Sequence, residues 1–158
     1  MTNTVTDEQQ AFEVIKKFNH LNASRASMTD FLDIIDPDRL VIMIRNTDIR
    51  FEGIAGFSDH QMGKLIFFDQ KFDCELINST VNDNEITIST KGVWYASCWQ
   101  TPAAYSQNLI ADLKHTWILE RENNKKPYRI TTHICEEFGY RKGYAPTDET
   151  KDFHLNLK

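Results

Sequence analysis

Four long runs, 72–83, 84–100, 106–122 and 127–138, follow one another with only short polar breaks, and they constrain the fold more than any other feature of the chain. Each is rich in β-branched and aromatic residues, which reads as a strand. The breaks are turn chemistry: Asn82-Asp83-Asn84 tolerates positive φ, and Asn123-Asn124-Lys125-Lys126-Pro127 cannot continue a ladder. Four such strands in succession predict an antiparallel meander, and a sheet of that size needs a second layer to bury one face.

The first 70 residues supply that layer. Thr6 or Asp7 can cap a helix in which Phe12, Ile15, Phe18 and Leu21 recur at spacings of three. A second short helix is predicted with Thr29 as its N-cap, running through Phe31, Leu32, Ile34 and Ile35 until Asp36-Pro37-Asp38 stops it. RLVIMIRN (39–46) and IRFEG read as a hairpin around Asn46-Thr47-Asp48. After Gly53 and Gly56, a third helix with Ser58 as cap and Met62, Leu65, Ile66 and Phe68 on its apolar face is expected to end near Asp69. The order helix, helix, hairpin, helix and four strands predicts an α+β domain. Helices would pack on one face of a strongly curved antiparallel sheet, making a cone-shaped barrel with an open interior.

A length of 158 residues with 41% hydrophobic and 11% aromatic content suits one domain over 1–158, with a core at about 7–138 and a polar C-terminal extension at 139–158. Within that extension, FGYRKGYAP is a candidate lid or partner-binding segment. A net charge of −5, with 18 basic residues scattered among 23 acidic ones, argues against nucleic acid or an anionic membrane as partner, since both require concentrated positive charge. Cys74, Cys98 and Cys135 form no metal-ligand spacing and read as reduced thiols. No targeting or membrane-spanning run stands out, so a cytoplasmic protein is expected. GxSxG, Walker A, HExxH and EF-hand patterns do not occur, and neither a metal nor a cofactor is implied.

Element order, the segment FEGIAGFSDH before the third helix and the ending WILERENNKKPYRI together resemble the nuclear transport factor 2-like superfamily, in particular its SnoaL-like members, over roughly residues 7–138. The resemblance implies a cone with a hydrophobic cavity and a homodimer through the outer face of the sheet. It also implies activities ranging from dehydratase, isomerase and cyclase to none, so the fold does not choose a function. Ketosteroid isomerase-like members place a tyrosine, an aspartate base and a second acid where this chain has Phe18, Met43 and Trp117. None of the three can play those roles, which removes that mechanism.

Candidate chemistry centres on 115-HTWILERENNKKPYRITTHIC-135. If Leu119 lies opposite Arg129, then Trp117 meets Thr131 and His115 meets His133; a slip of one residue separates the histidines. In the paired register Leu113, His115, Trp117, Leu119, Thr131, His133 and Cys135 share the cavity face. Ile118, Ile130 and Ile134 then form an apolar outer face suited to a homodimer. His115 and His133 are the expected acid and base, with Tyr95 as hydroxyl donor, while Tyr105 and Asp30 are further polar candidates. Phe18, Met43, Trp117, Thr131, Cys135 and Trp99 are expected to contact a small hydrophobic ligand. His60 and Lys64, at i and i+4, read as part of a solvated helix face. The expected activity is cofactor-independent dehydration, isomerisation or cyclisation of a hydrophobic carbonyl compound; the alternative is a non-catalytic binding or interaction domain of the same fold.

Overall fold

The computed structural model describes residues 6–62, 66–99 and 104–146. In chain order the elements are α1 (Asp7–Ala23), α2 (Met28–Phe31), β1 (Val41–Ile44), β2 (Arg50–Glu52), α3 (Gly53–Met62), β3 (Phe67–Asn82), β4 (Glu85–Cys98), β5 (Gln107–Glu120) and β6 (Arg129–Tyr140). The strands form one six-stranded sheet in the order β2-β1-β6-β5-β4-β3. The α+β expectation holds, with β3 to β6 as a meander. Two details differ from a closed antiparallel barrel: β1 runs parallel to β6, and β2 and β3 remain as separate edges, so the sheet is open. No helix among the described residues is long and apolar enough to cross a membrane.

Local chemistry fixes the first helix. Thr6 Oγ1 accepts from the Gln9 N–H at 3.1 Å and Gln9 Oε1 accepts from the Thr6 N–H at 3.1 Å, a reciprocal cap that satisfies two otherwise orphan donors. Thr6→Ala is therefore expected to cost about 1 kcal/mol in urea denaturation, and an unchanged midpoint would show the cap to be dispensable. The buried stripe of α1 is Ala11, Ile15, Phe18, Asn19 and Asn22. This is the i, i+4, i+7, i+8 face of a helix, rotated from the three-residue spacing that picks out Phe12 and Leu21.

Two helices differ from expectation. Ser27, not Thr29, precedes α2, which ends at Phe31. The chain then leaves the helix so that Ile35 can bridge to Ile130, with Ile130 N–H donating to Ile34 O at 2.8 Å and Asp36 N–H to Ile130 O at 3.0 Å. Gly53, at φ +67°, opens α3, so that helix precedes the predicted one. Phe68 and Asp69 belong to β3, while Lys64 and Leu65 lie outside the described residues.

Two apolar clusters fill the inner face of the sheet. One joins Ala11, Ile15 and Phe18 of α1 to Phe31, Phe57, Trp117, Leu119 and Ile130. The other contains Phe67, Trp94, Ala96, Leu109, Ala111 and Leu113. Between them the packing is incomplete, and the gap is a cavity. Residues 141–146 do not cover it as a lid: they continue past β6 alongside β5, with Arg141 N–H donating to Ile110 O at 2.8 Å and Ile110 N–H to Tyr144 O at 3.3 Å. Residues 147–158 lie outside the described residues.

Of the three isoleucines expected on the outer face, Ile118 and Ile134 do lie there, alternating with the cavity-side Trp117 and His133. Ile130 points inward and is fully buried against Leu119, its cross-strand partner. The outer surface also carries cross-strand ion pairs, Lys91 with Glu75 at 3.0 Å, Lys114 with Glu137 at 3.4 Å and Arg141 with Asp112 at 2.9 Å. Such exposed pairs contribute little stability, but they make this a water-compatible surface.

Candidate functional site

Alternation along the strands decides which side chains reach the cavity. In β5 and β6 the residues His115, Trp117, His133 and Cys135 share the inner face, but the hairpin is offset from the predicted register. Trp117 lies opposite His133 and His115 opposite Cys135. One residue of the offset is set at the turn, where Leu119 pairs with Ile130 and Glu120 with Arg129, and one by Thr131, left over between paired residues; Glu136 is left over only beyond the His115–Cys135 pair. The offset is two residues on the inner face, so the face is kept and the histidines stay neighbours, with ring centroids 4.6 Å apart. His133 is stacked on the indole of Trp117 at 4.0 Å and 12°, and Phe18 of α1 meets it edge-on at 5.4 Å. Those contacts fix the ring plane of His133.

The cavity has a volume of about 300 Å³ and is lined mainly by apolar groups, among them Met43, Ile44, Phe51, Phe67, Trp94 and Phe138. Its polar lining consists of His60, His115, His133, Cys135, Asn19 and Asn22. Among the described lining residues there is no carboxylate, lysine or arginine. A second groove of about 490 Å³, on the outer face, is more open and is lined by Asp73, Glu75, Lys91, Asp112, Lys114 and Glu137. Its charges are engaged in ion pairs, those given above and Asp73 with Lys71 of the same strand at 3.6 Å, so the apolar cavity is the better ligand site. No group of three or more His, Cys, Asp or Glu among the described residues is placed to hold a metal ion.

Of the residues singled out from sequence, His115, His133, Met43 and Cys135 line this cavity. Phe18 and Trp117 form its packed floor, and the Trp117 indole N–H donates to Thr90 Oγ1 at 2.9 Å. Thr131, in the irregular turn of β6, is buried and donates to Ile118 O at 3.2 Å. Tyr95 lies on the other face from the cavity-lining Trp94, beneath the Lys71 ammonium at 5.6 Å, so it does not join the histidines. Trp99 is half exposed at the end of β4, and Tyr105 is 85% exposed. Asp30 is exposed and accepts from the Ser27 hydroxyl, away from the imidazoles.

Three of the polar lining residues are not singled out from sequence as site residues. His60 is not on a solvated face: it is buried, edge-on to Phe51 at 5.0 Å, and lines the cavity. Asn19 and Asn22 are both 6% exposed on the buried stripe of α1. Two amides interrupting an apolar helical stripe at i and i+3 are a readable signal, since a buried amide needs a partner.

Burial pushes the Cys74 thiol above its ordinary value of 9.0, against the opposing pull of hydrogen bonds with Thr90 and Asn19. The raised value adds stability that is fully present below pH 9.0 and lost as pH rises through the folded-state value. Near pH 8, alkylation of Cys74 by iodoacetamide is expected to run more slowly in the native chain than in urea, because the thiolate is the nucleophile. Equal rates in the two states, read by peptide mass spectrometry, would contradict this.

No protein-family model and no curated protein sequence matches the chain. Solved structures do. Kfla4162 protein from Kribbella flavida aligns with a TM-score of 0.71 at 9% identity, covering 86% of this chain and 93% of that one. Hexachlorocyclohexane dehydrochlorinase LinA-type3 from Novosphingobium barchaimii LL02 aligns at 0.67 and 10% identity, covering 89% and 95%. A conserved protein from Planctomyces limnophilus DSM 3776 aligns at 0.68 and 7% identity, covering 85% and 98%. The fold is the nuclear transport factor 2-like fold. At these identities the likeness concerns architecture, and function must be argued from the site. Phe18, Met43 and Trp117 lie at the cavity or against its wall, and they supply apolar surface there.

Proposed function

We propose that the cavity binds a small hydrophobic carbonyl compound and that the chain acts on it as a lyase or isomerase, moving a proton through His115 and His133. What carries this reading is the imidazole pair, with centroids 4.6 Å apart on neighbouring strands of one largely apolar cavity. Imidazole is divided between neutral and protonated forms near pH 7, so one ring can remove a proton next to a carbonyl while the other returns one. The indole beneath His133 and the phenyl edge beside it hold that ring in place, which limits the reorganisation a proton transfer demands. Dehydrochlorination, the activity named for the LinA structures, belongs to the class of eliminations from a small apolar ring that a base promotes, and the present cavity offers bases in an apolar setting. Tyr95 has no part in this proposal.

The same stacking favours a second reading, in which the histidines are an aromatic wall of a binding site without catalysis. Isomerisation of cyclohex-3-enone to the conjugated ketone, followed by ultraviolet absorption, separates the two. Catalysis is expected in the native protein, with His115→Gln and His133→Gln each lowering kcat by about 100-fold or more. Binding of the ketone with no turnover would establish the wall and remove the enzyme.

A further inference from the structure

We infer that Asn22, oriented by Gln61, is the anchor for the ligand's carbonyl oxygen, so that the cavity selects a neutral hydrogen-bond acceptor over a hydrocarbon of the same shape. The inference rests on the reading of this cavity as the ligand site. Asn22 lines the cavity from α1, and its Oδ1 accepts from Gln61 Nε2 of α3 at 3.0 Å. An amide whose oxygen is engaged has its two N–H groups left to offer. No further side-chain partner of Asn22 occurs among the described residues, and donors in a nearly buried position need an acceptor. The reverse pairing, Asn22 N–H to Gln61 Oε1, would strand both Gln61 N–H groups in the interior, whereas the observed sense leaves only that one oxygen without a partner.

The indole donors nearby are already committed. The Trp94 indole N–H donates to Gln70 Oε1 at 3.1 Å, and the Trp117 indole N–H donates to Thr90. With neither lysine nor arginine in the described lining, no permanent positive charge offsets that of an anionic ligand. Position also fits. Asn22 follows Phe18 by one helical turn, and Phe18 touches His133, so the amide lies about 6 Å further along α1 than that contact. A ring-sized ligand seated against the imidazoles then has its oxygen toward α1. An N–H donor at that oxygen stabilises the enolate that forms when an imidazole takes the α-proton.

The test compares cyclohexanone with methylenecyclohexane, which share ring and shape and differ in the oxygen. Affinities are measured by titration followed in amide NMR spectra, which also report folding. The native chain is expected to prefer the ketone by about tenfold. Asn22→Leu should bring the ratio close to unity while the hydrocarbon still binds. Gln61→Leu, which keeps Asn22 but frees its amide to turn, should lower the preference severalfold and serves where Asn22→Leu fails to fold. No preference in the native chain, a preference that survives either substitution, or binding of neither compound overturns the inference. A ketone preference without cyclohexenone turnover keeps the anchor and removes only the acid/base reading.

Discussion

Gly92→Ala is expected to destabilise the protein by about 3 kcal/mol or more, the upper range for overpacking, because the added methyl meets backbone and not a movable side chain. A Cβ there would lie 2.2 Å from the carbonyl oxygen of Asp73, 3.2 Å from its carbonyl carbon and 3.3 Å from Cα of Cys74. Gly92 is paired with Cys74 of β3 and Leu113 of β5, in the middle of the meander. Relief requires β3 to withdraw from β4, which breaks the ladder where Cys74 and Leu76 pack on the core. Gly139→Ala is the control, since nothing lies within 4 Å of a Cβ at that position. Urea denaturation of both variants decides the matter: equal midpoints would mean that the sheet yields easily at Gly92.

Trp117→Ala should cost about 3–5 kcal/mol, a large part of the 5–15 kcal/mol that holds a domain of this size together. The indole is fully buried at the centre of the first apolar cluster. It stacks on His133, meets Phe18 edge-on at 5.4 Å and satisfies the buried Thr90 hydroxyl. Removing it opens a void and leaves Thr90 without its donor, two separate penalties. Trp117→Phe keeps most of the volume and loses the hydrogen bond, so its smaller loss isolates the second penalty. A loss below about 1 kcal/mol for Trp117→Ala would contradict the packing described.

Much of this arrangement was legible in the sequence. Alternation in the last four runs located the strands, the Thr6 cap began the first helix, and the inner face of the final hairpin carried both histidines. Residues left over in a strand are not visible in alternation, and this limited the rest. Leu119 pairs with Ile130 and not with Arg129, which turns Ile130 inward, and Thr131 adds a further residue of shift, so that His133 meets Trp117 and not His115. Trp94 and Tyr95 are adjacent aromatics, either of which suits a buried face, so pattern alone could not send Tyr95 outward. The third helix was placed late because Ile66, Phe67 and Phe68 extend an apolar run into what is a strand, where Asp69 takes φ +50° beside a shift of register. Asn19 and Asn22 are hard to read as lining residues because polar residues on a helix usually mark its solvent face.

The central claim is that His60, His115 and His133 surround one ligand cavity, and histidine ring NMR during titration with cyclohexanone tests it most directly. Of the five histidines in the chain, His20 is exposed on α1 and is the internal control. Saturable shifts of the His60, His115 and His133 ring signals are expected at one common dissociation constant, with His20 unmoved. Shifts absent from His115 and His133, or no greater than those of His20, would contradict it.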